Sequence, residues 1–72
     1  MKYVFTDVSA EKMQEGIKKI MMNGGEITDS SFEISGVEGR YHYEYETLTV
    51  MIDEKPWLAS WEMIEEKLNE FF

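Results

Sequence analysis

The chain has 72 residues, no cysteine, 14% aromatic residues and a formal charge of −8, from fifteen carboxylates against seven bases. Without cysteine, disulfides, thiolate metal sites and thiol chemistry are excluded. The charge opposes binding to phosphate backbones and anionic membranes, so no nucleic acid or membrane is expected as a partner. No apolar run approaches the roughly 20 residues of a membrane span, and Met1–Asp7 meets acid too soon for a signal peptide. The expectation is one small soluble cytoplasmic domain over residues 1–72. A domain of this size buries only roughly 60% of the surface its unfolded chain exposes, so it depends on large side chains.

Tyr3 to Val8 is β-branched and aromatic, which suits a short strand. Ser9 is a candidate N-cap, with Glu11 in the first turn. Ala10, Met13, Ile17, Ile20 and Met21 then recur at helical spacing. Gly16 lies inside that helix, where a missing side chain permits close approach of a neighbour. Asn23-Gly24-Gly25 stops the helix.

Glu26 to Thr28 is extended, and Phe32 to Ser35 resumes as strand with the opposite parity. One extra residue within Asp29-Ser30-Ser31 is therefore expected to form a bulge or a short turn. Gly36 to Gly39 reads as a turn. Arg40 to Glu46 and Thr47 to Asp53 both alternate, with a hairpin near Tyr45-Glu46-Thr47. Asp53 to Lys55 leaves the sheet, and Pro56 suits the first position of a last helix. On that helix Trp57, Trp61, Ile64, Leu68 and Phe71 make one apolar stripe, read as the principal core face. The order β-α-β-β-β-α predicts an α+β domain, a four-stranded antiparallel sheet with both helices packed on one face.

Three features of this order resemble the polyhydroxyalkanoic acid system (granule-region) family of small proteins. They are the helix opened by Ser9-Ala10-Glu11, the hairpin Ile34-Ser35-Gly36-Val37-Glu38-Gly39, and Pro56-Trp57-Leu58-Ala59 leading to Ile64-Glu65. The resemblance implies a small granule-associated or regulatory protein and carries no functional residue with it.

Candidate sites are few. His42 shares a strand face with Arg40 and Glu44, but no nucleophile or second titratable partner is identified beside it, so no enzyme is expected. Asp29, Asp53 and Glu54 offer oxygens to a divalent cation, without the spaced acids and glycine of an organised calcium loop. Tyr41, Tyr43 and Tyr45 form a row that either joins the core or makes an aromatic contact face, and Phe72 extends beyond the helix stripe. Gly24-Gly25 ends a helix instead of opening one and is no phosphate loop. The expected function is a non-enzymatic protein-interaction domain, with no cofactor, acting through a protein partner or self-association. The alternative is a small-molecule or divalent-metal module using the acidic loops or a sheet–helix pocket.

Overall fold

The computed structural model describes residues 1–72. Strand β1 (Lys2–Phe5) pairs antiparallel with β5 (Thr47–Glu54), Tyr3 opposite Val50 and Phe5 opposite Leu48. The strand stops before Val8, because Asp7 takes a left-handed φ of 57° and turns Val8 into the core, 1% exposed. Helix α1 (Ala10–Met22) begins where Ser9 Oγ accepts the Lys12 N–H at 3.2 Å. It ends at Asn23, whose side-chain amide donates to the Lys19 carbonyl at 2.7 Å; Gly24 follows at a φ of 83°. Gly16 is a close-approach glycine: a Cβ there would collide with the ring of Phe72.

The sheet has five strands in the order β1-β5-β4-β3-β2, all antiparallel, which corrects the expectation of four. The extra strand comes from Glu26 to Ile34. Of the bulge or short turn expected there, the turn forms. β2 (Glu26–Ile27) and β3 (Ser31–Ile34) are two arms of a hairpin, Ile27 opposite Phe32. Thr28 Oγ1 accepts the N–H groups of Ser30 and Ser31 at 3.3 and 3.0 Å and closes the turn. Reversing the chain puts one odd and one even position on the same face, the parity change that a bulge in a continuous strand also produces. The next turn is likewise shorter than expected. Ser35 and Gly36, at φ 52° and 82°, form a two-residue turn, and Val37 to Gly39 already belong to β4 (Val37–Glu44).

β4 and β5 form the expected hairpin, turning at Tyr45 and Glu46 with Glu44 opposite Thr47. Gly39 pairs with Phe32, and a Cβ on it would meet that ring and the Met51 carbonyl. Next to it, at Glu38/Gly39, the β4–β5 register shifts.

The last helix, α2 (Trp61–Phe71), starts later than expected. Ser60 caps it, Oγ accepting the Met63 N–H at 3.1 Å. Pro56 opens a separate turn, its carbonyl taking the Ala59 N–H at 3.0 Å. Only part of the expected stripe is core: Ile64 and Leu68 are buried, while Trp57 is 86% and Trp61 37% exposed. The core cluster joins Val8 and Met13 to Phe32, to Leu48, Val50 and Ile52 of β5, and to Ile64 and Leu68. Both helices thus lie on one sheet face. The other face carries Lys2, Val4, Arg40, His42 and Glu44, all exposed.

Candidate functional site

The row of tyrosines divides. Tyr41 and Tyr43 lie on the core side of β4, opposite Val50 and Leu48, half-buried against the cluster. Their hydroxyls tie down loops: Tyr41 donates to the Thr28 carbonyl and Tyr43 to the Val8 carbonyl, the latter at 2.6 Å. Burial, then the charge of Asp29, pushes the Tyr41 phenol above its ordinary range. Tyr45 stands 91% exposed at the hairpin tip. Phe72 packs on the ring of Phe5, 6.2 Å between centroids, over Gly16. These four residues do not come together as one platform.

The acidic candidates are also distributed. Asp29 sits in the β2–β3 turn. Asp53 is held in a fork by Arg40, Nε and Nη2 donating to its two oxygens at 3.0 and 2.9 Å. That hydrogen bonding holds the Asp53 carboxyl below its usual range. Glu54 lies across from Glu38, and sharing a hydrogen bond with it pushes the Glu38 carboxyl upward, as does the surrounding negative charge. With Glu26 and Glu33 they rim a hollow of about 410 Å³ at the β2–β3–β4 end of the outer sheet face. No group of three or more His, Asp or Glu side chains has a geometry that could hold a metal ion. His42 Nε2 meets Glu44 Oε2 at 3.2 Å, both side chains exposed.

An apolar concavity lies elsewhere. A groove of about 430 Å³ runs between α2 and the β3–β4 hairpin, and nine of its thirteen lining residues are hydrophobic. Ile52, Ile64 and Leu68 make its floor; Ile34 and Val37 form one wall, Ala59, Met63 and Phe71 the other. One end is closed by Asn23, directly after the exposed Met21 and Met22. At the other end the Pro56–Ala59 turn presents Trp57 and Leu58, 86% and 77% exposed. This turn is held in place. Pro56 sits against Gly36, where a Cβ would lie 2.9 Å from its ring, and Lys55 Nζ donates to the Ala59 carbonyl at 2.7 Å. The same ammonium lies 5.4 Å from the centre of the Trp61 ring. A held loop with two large apolar side chains in water, beside an open apolar groove, is an arrangement folding alone does not require.

None of the candidate residues read from sequence lines this groove. The available signal was Met63, which lies off the Ile64–Leu68 stripe, together with the second N-cap at Ser60, which releases Trp57 from the helix. Comparison with protein-family models, curated proteins and solved structures yields no match to this chain, so no residue role enters the site from a relative.

Proposed function

We propose that this chain is a small non-enzymatic interaction domain, and that it docks apolar side chains of a protein partner in the groove between α2 and the β3–β4 hairpin. The observation that carries the reading is the apolar lining of that groove, with Met63 on its wall more than half exposed, and Trp57 and Leu58 exposed in the turn whose Ala59 lines it. Large aromatic and methionine side chains on a fixed surface supply most of the energy of protein docking. The exposed His42–Glu44 pair lies on the other sheet face and takes no part in this reading.

The test is a helix-forming peptide of about 18 residues with leucine on one face and glutamine on the other, long enough to be helical when docked. Titrated into labelled protein, it should shift the amide signals of Ile34, Met63 and Phe71 and change tryptophan fluorescence. Shifts that are absent, or scattered over the surface, overturn the reading. A second reading, a small apolar ligand, rests on the groove volume, which falls within the range of small-molecule sites. A neutral dye such as Nile red shifting the same residues, with no effect from the peptide, selects that second reading.

A further inference from the structure

We infer that Lys55 is a clasp that holds Trp57 and Leu58 out in water. It is a positioning residue that rests on the docking reading above for its purpose, but not for its action on the turn. Pro56 to Ala59 form a β-turn, in which the Pro56 carbonyl accepts the Ala59 N–H at 3.0 Å. The two corner residues are Trp57 and Leu58, both largely exposed. Corners of such turns favour glycine, asparagine, aspartate and serine, which supply the backbone geometry or bond their own main chain. A tryptophan and a leucine do neither, and in water they bury little. The shape of this turn is therefore fixed from outside its corners. At its start Pro56 packs against Gly36, where a Cβ would lie 2.9 Å from the proline ring. Its end is left to Lys55.

The Lys55 ammonium takes the Ala59 carbonyl at 2.7 Å, so Ala59 is held by both of its main-chain groups. The lysine is half-buried, and the other neighbour of its ammonium is the Trp61 ring, 5.4 Å from its centre. Neither ion pairing nor the helix accounts for this placement. The chain has fifteen carboxylates, and Asp53 and Glu54 directly precede Lys55, yet the ammonium forms a salt bridge with none of them. Ala59 comes immediately before Ser60, the N-cap of α2. The cation therefore stands at the positive end of that helix, where the dipole favours acids. A lysine here works against the helix, and what it secures is the turn. Its charge is the part that matters, because a charged donor makes the stronger hydrogen bond to a carbonyl and the ring attracts only a cation.

The experiment compares the parent protein with Lys55→Met, which keeps an apolar stem without charge or donor, and Lys55→Arg, which keeps both. Backbone nitrogen relaxation of labelled protein reads the turn. In the parent, the Trp57 and Leu58 amides should be as ordered as the sheet, with order parameters of about 0.85. In Lys55→Met they should fall below about 0.6, with Ile64 and Leu68 unchanged. That variant should melt no lower than the parent, because a cation has left the positive end of the helix. Lys55→Arg should keep the turn ordered. The leucine–glutamine peptide should bind Lys55→Met about tenfold more weakly, since it must then order two large side chains on binding. A turn already mobile in the parent overturns the inference. So does one that stays ordered in Lys55→Met, and peptide shifts at Ile34, Met63 and Phe71 would then leave the docking reading standing. A Met variant that loosens throughout and melts lower also overturns it, since Lys55 would then serve the fold as a whole. A turn loosened in Lys55→Met, with no peptide bound even by the parent, keeps the clasp and overturns the docking reading.

Discussion

The two main hollows of this domain are nearly equal in volume, about 430 Å³ for the groove beside α2 and about 410 Å³ for the one on the outer sheet face. Their chemistry is opposite. The outer hollow is lined almost wholly by polar groups: Asp53 pairs with Arg40 and Glu33 Oε1 accepts the Gly36 N–H at 3.1 Å, while Glu38 faces the like charge of Glu54. The α2 groove is apolar and stays open, with large side chains at its ends in water. Size therefore does not separate a binding site from a surface dimple here. What separates them is the lining: charged and in water in one, apolar and open in the other.

That contrast is broken most severely at the groove floor. Ile64 and Leu68 both line the groove and belong to the core cluster. Truncating either to alanine should cost about 2–5 kcal/mol, a large fraction of the stability of so small a domain. Met63→Ala, on the exposed wall, should cost under about 1 kcal/mol and act on binding instead. Denaturant melts of the three variants check this. Equal losses would mean that the wall is core and the groove closes in solution.

The outer hollow has a floor of its own. Gly39→Ala places a methyl group against the Met51 carbonyl and the Phe32 ring, neither of which is a flexible chain end. A loss of about 1–3 kcal/mol is expected. The turn between the strands that shape this hollow works in the opposite direction. Tyr45 and Glu46 both hold left-handed backbone, at φ 50° and 56°, without a glycine. Tyr45→Asn/Glu46→Gly supplies residues suited to that turn and should stabilise by about 1 kcal/mol, read as a raised melting temperature.

Much of this architecture is legible in the residues. α1 announces itself through Ser9, its apolar spacing and Asn23-Gly24-Gly25, and β4 and β5 through unbroken alternation. The fifth strand is hidden because the hairpin at Thr28–Ser31 shifts parity as a bulge does, and only the Thr28 hydroxyl distinguishes them. The start of α2 is hidden because two N-terminal signals compete. Pro56 and Ser60 each suit a helix beginning, and periodicity from Trp57 onward favours the wrong one. That error moved the groove out of sight as well, since a tryptophan counted as core cannot mark an open surface. Trp57→Ala should therefore change stability by no more than about 0.5 kcal/mol, far below the cost of a buried tryptophan, while weakening peptide binding.

The smallest effects, and the sharpest test of the charge arrangement in the outer hollow, lie in its titrations. Asp53 is held below its ordinary range by Arg40, so its contribution to stability is present above the unfolded value and fades as pH falls through the folded one. Glu38 runs the other way. Its carboxyl is raised by the hydrogen bond with Glu54, so its contribution is complete below the unfolded value and is lost as pH rises through the folded one. Carboxyl carbon NMR resolves the two groups separately. Arg40→Gln should return the Asp53 titration upward toward an ordinary aspartate, and Glu54→Gln should bring the Glu38 titration down, with Met63 and Ile34 signals unmoved in both. If Asp53 titrates unchanged without Arg40, its depressed value has another source. The Arg40 fork would then not be what sets the charge state of this hollow.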